Sequence, residues 1–292
     1  YVIQDSLNVI IDHVSGSWAR DENMGLTGQN DMVTISWSIF AEGIPPHDKC
    51  ALLGNNPKGP QHLSFINNLC AHNGDRNPDI NFAPNSCVDV VNNVLYDAQS
   101  EYAEVWDEYG GTPVNIVGNY FEAGPSTRKN APGIIRHMNI KKRNYVSGPA
   151  RIYSVGNYFG KKLLPQSEGV AEVLQAMPVC PILSRVASVA DAYRQVLEEA
   201  GAFPRDTLDT RIVQDVKNRS GSIVRTAGEL PPIAGASPYL DDDGDGMSDD
   251  WERSHGANPK LFDAWVNRDG RSNLELFLDH AHAQLLVGEV SK

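Results

Sequence analysis

The first half of the chain repeats one pattern of apolar and polar positions. Short runs rich in β-branched residues lead into Asn or another small polar residue. They are Val9-Ile10-Ile11, Val33-Thr34-Ile35, Leu63-Ser64-Phe65-Ile66, Val88-Asp89-Val90-Val91, Val114-Asn115-Ile116-Val117 and Ile152-Tyr153-Ser154-Val155. Their starts are spaced by 24, 30, 25, 26 and 38 residues. Spacings of roughly 20–50 residues mark solenoids or propellers. Few hairpin turn signals join the runs, which favours parallel stacking over propeller blades. Asn67-Asn68, Asn92-Asn93, Asn119 and Asn157 punctuate the run ends. Asn tolerates the left-handed backbone of a sharp corner, and stacked Asn amides hydrogen-bond from rung to rung. The pattern predicts an all-β fold, a right-handed parallel β-helix. Its uneven spacings predict loops projecting from one corner, where a solenoid carries its site.

Near residue 165 the period changes. Val186, Val189, Ala190, Tyr193, Val196 and Leu197 make a helical apolar stripe over 186–200, with Gly201 as its stop. A second short helix is expected over 206–217. Pro231, Pro232, Gly235 and Pro238 read as a linker. The β-helix therefore carries a C-terminal, partly helical extension. Three segments are expected: a β-helix over 1–165, a helical and loop extension packing on it over 166–235, and a last module over 236–292.

Charge narrows the partners. The 292 residues hold 25 Lys and Arg against 37 Asp and Glu, a net charge of −12. Phosphate backbones select basic faces, so nucleic acid is not expected as a partner. No apolar run is long enough to span a bilayer. Cys50, Cys70, Cys87 and Cys180 contain no C-x-x-C pair, which disfavours a zinc or thioredoxin-type site. Buried thiols and a single disulfide are both open readings.

The last module holds the sharpest motif. Asp241-x-Asp243-x-Asp245-Gly246 with Glu252 fits the twelve-residue Ca²⁺ loop. Carboxylates stand at its first, third and fifth positions, the Met247 carbonyl at the seventh, Asp249 at the ninth and a bidentate Glu at the twelfth. Hard oxygen ligands at this spacing suit Ca²⁺ and disfavour zinc. Ser237-Pro238-Tyr239-Leu240 is not an entering helix, so the loop reads as a structural staple. Short helices are expected to begin at Trp251-Glu252 and at Asn273-Leu274-Glu275.

A second constellation follows the early rungs. It comprises Asp12-His13 with Trp18 to Glu22, then His47-Asp48-Lys49 with Leu52-Leu53-Gly54, then Asp75-Arg76-Asn77-Pro78-Asp79. Stacking at about 4.8 Å per rung is expected to bring Asp21, Lys49 and Arg76 onto one face. One metal-competent carboxylate beside two cations suits an acidic sugar polymer. The proton at C5 of a uronate lies α to a carboxylate, and Ca²⁺ on that carboxylate would acidify it. Asp12 and His13 read as structural, Trp18 and Trp106 as packing, and Glu101 to Glu108 as a solvated acidic loop, with a place lining the cleft as its alternative.

These pieces resemble the polysaccharide lyase family 1 pectate lyases. Asp12-His13 is similar to the family's I-D-H strand, His47 to Gly54 to its H-D-K-x-x-L-L-G segment, and Arg76-x-Pro78 to its R-x-P segment. The likeness covers roughly residues 8–160, and the D-x-D-x-D-G tail is similar to extensions on bacterial members. It implies that Arg76 is the Brønsted base, that Lys49 and the neighbouring His47 bind substrate, and that Asp21 is a calcium ligand. Gly25 stands where the family has a second calcium aspartate, with Glu22 as the adjacent substitute. Asp79 replaces a cation. The implied protein is a secreted or cell-surface lyase acting on polygalacturonate with Ca²⁺. A lyase for another polyuronate and a β-helix that only binds carbohydrate are the alternatives. The motifs set Tyr1 after the first rungs of a β-helix, so an N-terminal fragment bound as a separate chain is a further expectation.

Overall fold

A computed structural model describes residues 1–138, 148–165, 167–232 and 237–287. Gly235 of the expected linker lies outside them. The chain forms a parallel β-helix of about 5 turns. All six runs read from the sequence fall in one sheet, as Leu7–Asp12, Asp31–Ser36, His62–Ile66, Cys87–Val91, Pro113–Val117 and Arg151–Val155. A second sheet follows each of these strands directly, from Ser15–Ser17 through Ile39–Ala41, Leu69–Ala71, Val94–Tyr96 and Tyr120–Glu122 to Tyr158–Phe159. A third contains Val2–Gln4, Met24–Thr27, Ala51–Leu53, Asp79–Ile80, Ala103–Trp106 and Ile134–His137.

The corner between the first two sheets takes two residues with separate tasks. The first adopts the left-handed conformation: Trp37, Asn67, Asn92, Gly118 and Gly156 have φ of 47, 56, 56, 65 and 68°. The second turns its side chain inward. Asn68 donates to Asn93 (3.2 Å), Asn93 to Asn119 (2.9 Å) and Asn119 to Asn157 (3.0 Å), all buried. Each amide also donates to a backbone carbonyl, so the amides of this ladder are satisfied. Inside the coil, like residues stack in register, as in Ile3, Leu26, Leu53, Ile80 and Val105. Fully burying such side chains stabilises by about 1.5–3 kcal/mol each.

Two disulfides form, Cys50–Cys70 and Cys87–Cys180, where the sequence left thiols or one bridge open. The second ties the stretch before residue 188 to the outside of the first sheet. There Asn92 exchanges hydrogen bonds with Ala187, and Asn115 with Val179 and Cys180. Helix α1 (Glu168–Ala171) precedes this stretch, and α2 (Val189–Glu199) and α3 (Thr207–Asn218) follow it. Val196, Leu197, Ile212, Val213 and Val216 cover the outer face of the second sheet at Ile39, Leu69 and Val94. That apolar outer face explains why the two helices carry apolar stripes.

The chain divides into two compact units, 1–202 with 207–229, and 203–206 with 230–292. In the second unit, α4 (Asp249–His255) and α5 (Asn273–Leu286) pack Trp251 and Phe277 with Met247 and Ala264. Helix α4 starts at Asp249 rather than Trp251, because the Ser248 hydroxyl caps it. No described helix is long and apolar enough to cross a membrane.

Candidate active site

Rungs turn from the second sheet into the third through the loops that carry the second constellation. A short interior ladder fixes this corner: Asn23 donates to Asn73 (3.2 Å) and Asn73 to Asn77 (3.3 Å). The loops approach closely. A Cβ on Gly43 would lie 2.6 Å from the Asp48 carbonyl carbon, so only glycine fits there. Lys49 and Asp75 bridge neighbouring rungs through their backbones and join their side chains in an ion pair. Arg76 has φ of 51°, a conformation that costs about 1 kcal/mol or more in a non-glycine residue. Its N–H donates to Glu104 Oε1 (2.8 Å), which holds it there.

The Arg76 guanidinium pairs with Glu22 from an earlier rung, and its Nε lies 3.4 Å from Asp79 Oδ2. Asp21 points outward, 75% exposed, with His47 Nδ1 at 3.2 Å. The structure thus joins Glu22 to Arg76, Lys49 to Asp75 and Asp21 to His47; the three residues expected on one face meet through these pairs and not directly. Burial and then a hydrogen bond donated to Asp21 raise the Glu22 pKa. Burial also raises that of Asp75, against the pull of Lys49. Burial opposes the charge on Arg76, but Asp79, Glu22, Glu104 and Asp75 outweigh it and push its pKa up. Burial, followed by the charge of Glu104, pushes Asp79 well above the usual carboxylate range.

Glu101 to Glu108 is not a solvated loop. Ala103–Trp106 is a strand of the third sheet, with Ala103 and Val105 in the core and Glu104 stacked on Asp79. Glu104, Asp107 and Glu108 are buried. Glu104 accepts from His137 (3.0 Å), Asp107 from Arg136 (2.8 Å) and Glu108 from Asn81 (2.9 Å). Trp106 stacks on His137 at 4.1 Å. Oxygens of Asp75, Glu101 and Glu104 gather within 4.8 Å of one another, a cluster the sequence reading did not single out. Glu104 was hidden because one β-branched residue in the strand gives too weak a signal.

In the second unit the Asp241–Glu252 loop closes on itself. Asp241 Oδ1 accepts from Gly244 (2.9 Å) and its Oδ2 from Gly246 (3.1 Å), while Asp245 Oδ1 accepts from Met247 (3.0 Å). Asp241, Asp243 and Asp245 converge within 4.8 Å. Glu252 is fully buried, and neither of its oxygens has a hydrogen-bond partner. Burial, then the charges of Asp245, Asp243, Asp263 and Asp249, push its pKa to about 7. Such a donor set, all oxygen and missing its positive partner, fits Ca²⁺. Asp249 is engaged otherwise: it accepts from the Asp242 N–H (2.9 Å) and from Arg253 (2.9 Å).

No protein-family model matches the chain. Proteins named probable pectate lyase C do. That of Neosartorya fischeri is 29% identical over 293 residues, and that of Aspergillus flavus 30% identical over 304. In both cases the match covers 94% of this chain and 66% of the relative, so the chain spans just under two thirds of their length. A solved pectate lyase, described for its substrate specificity and anti β-elimination mechanism, superposes with a TM-score of 0.52 at 15% identity. It covers 69% of this chain and 52% of its own. A pectate lyase bound to a hexasaccharide superposes at 0.50, with 14% identity, covering 66% and 50%. The β-helix of this chain is theirs.

Proposed function

We propose, from the premise that the chain belongs with the pectate lyases by homology and by its β-helix, that it cleaves α-1,4-linked galacturonan by β-elimination. The product carries a 4,5-unsaturated sugar at its new non-reducing end. The observation behind this reading is the Arg76 guanidinium, held between Glu22 and Asp79 with Lys49 on a neighbouring rung. Arg76 is the base for the C5 proton. It must shed part of its carboxylate field to act so. Glu22 is the partner best placed to leave, because Asp21 is its second neighbour. Lys49 and His47 bind substrate carboxylates, Lys49 by exchanging Asp75 for the sugar acid.

Asp21 and Glu22 would hold the catalytic Ca²⁺. They are adjacent carboxylates within hydrogen-bond reach of each other, and a divalent cation suits two hard oxygen donors so placed. When bound there, Ca²⁺ would supply the Lewis acidity that makes the C5 proton removable. The Asp241–Glu252 loop, with the Met247 carbonyl, holds a second, structural Ca²⁺. Two disulfides and a polymeric substrate favour secretion. Asp79 favours a second reading, another polyuronate, since it brings no positive charge to the site.

The test is incubation with polygalacturonate and Ca²⁺, followed by ultraviolet absorbance of the unsaturated product. Absorbance that rises and stops on chelation is expected. Reducing ends without absorbance, or binding without product at saturating Ca²⁺, would sink the lyase reading. Melting the chelated protein separates lost chemistry from an unfolded tail.

A further inference from the structure

The second unit repeats a short run. Asp245-Gly246-Met247-Ser248-Asp249 opens α4, and Asp269-Gly270-Arg271-Ser272-Asn273 opens α5. The glycines share a left-handed φ, 91° at Gly246 and 94° at Gly270. Both serines cap their helices, accepting from Trp251 and from Glu275. The copies differ in ligands. In register with Asp241, Asp243 and Glu252 of the first stand Trp265, Asn267 and Leu276 of the second. Only Asp269 keeps a carboxylate at a ligand position. In place of Asp249, Asn273 turns its amide to Asp263, donating to the Asp263 carbonyl (3.0 Å) and to Oδ1 (2.8 Å).

Asp263 itself reaches the first loop. Its N–H donates to Asp245 Oδ2 (3.2 Å), and its carboxylate lies with those of Asp245 and Glu252 inside 4.8 Å. Glu252, buried with both oxygens unpartnered, faces the same point. We infer that Asp263 is a ligand of the loop's cation, so that one Ca²⁺ ties the Asp241–Glu252 loop to the chain beyond α4, and that the second copy holds no ion. Asn273 is the positioning residue that aims Asp263. This inference rests on the calcium-loop reading of the tail and extends it to a residue outside the motif.

The full chain is titrated with Tb³⁺ by luminescence excited through Trp251, and Ca²⁺ affinity is read by competition. Asp263→Asn is expected to weaken Ca²⁺ by about tenfold or more, because a charged ligand is lost. Asp269→Asn is expected to stay within about twofold of wild type by the same ligand count. Wild-type affinity in Asp263→Asn, or an equal loss in Asp269→Asn, overturns the inference while leaving the calcium loop standing. No luminescence in the wild type overturns the calcium-loop reading itself. Wild-type crystals grown with Ca²⁺ settle the case if Asp263→Asn fails to fold. An Asp263 oxygen within about 2.6 Å of the ion upholds the assignment, and a carboxylate turned away overturns it.

Discussion

Two regions of this molecule crowd carboxylates, and they settle the charge in opposite ways. Around Arg76 the acids Glu22, Asp75, Asp79 and Glu104 meet cations of the chain itself: Arg76, Lys49 and, when protonated, His137. In the tail, Asp241, Asp243, Asp245, Glu252 and Asp263 meet no Lys or Arg among the described residues. Both regions raise carboxylate pKa values, but only the tail leaves Glu252 fully buried with both oxygens bare. An acid cluster with internal counter-charges can open one pair at a time to a substrate. An acid cluster without them requires an ion before it is stable. The density of acidic residues therefore does not separate the proposed reactive corner from the proposed staple; the location of the counter-charge does.

The largest effect that can test this contrast is at the reactive corner. Arg76→Ala is expected to lower unsaturated-product formation by about a thousandfold or more, the scale of a lost general base. Ca²⁺ affinity at the tail should be unchanged. Turnover near wild type would remove Arg76 from the chemistry.

Next is the tail without calcium. Burial and the neighbouring carboxylates push the Glu252 pKa to about 7 in the folded unit, against an ordinary value of 4.5. The folded state then binds the proton more tightly, so the chelated unit loses stability as pH rises from about 4.5 to 7. Melting scans should show its transition falling on the order of 10 °C across that window. Ca²⁺ should abolish the fall, and Glu252→Gln should flatten it. A flat profile in the chelated wild type would mean that the cluster is neutralised by some other route.

Glu104→Gln sits between the two regions in kind, since it deletes one charge from a compensated cluster. It leaves His137 without its anion and weakens the hold on the Arg76 N–H. A loss of about 2 kcal/mol in urea unfolding is expected. A stabilised variant would show that repulsion with Asp79 outweighs those bonds. The smallest effect belongs to the Asp21–His47 pair, which is largely exposed. His47→Ala should cost under about 1 kcal/mol of stability, with any change in turnover seen in KM.

The sequence disclosed what is local and periodic. Leu63 to Ile66 and Val88 to Val91 read as strands because β-branched and aromatic residues run together there. The convergence of Asp241, Asp243 and Asp245 was legible because these carboxylates lie within one twelve-residue loop. The third sheet was not: Asp79–Ile80 is two residues long, and Glu104 points outward from a strand flanked by acids. Neither the pairing of Glu22 with Arg76 nor the approach of Asp263 to Glu252 follows from spacing, because both depend on how distant segments stack. The cysteines show the same limit. Four of them allow three full pairings, and stacking selects Cys50 with Cys70 and Cys87 with Cys180.

The Cys87–Cys180 bridge spans 93 residues and clasps the stretch after the last rung onto a middle one. A plain solenoid frays like a zipper, each rung held only by its neighbours. Here the late chain returns across Pro113–Val117 to reach Cys87–Val91, with Asn115 gripping it at Val179 and Cys180 and Asn92 at Ala187 beyond the bridge. Unzipping from the C-terminal side must therefore break this clasp before it can pass the rung of Cys87. The clasp makes the last three rungs behave as one mechanical block, and those are the rungs next in line after the one that carries Arg76.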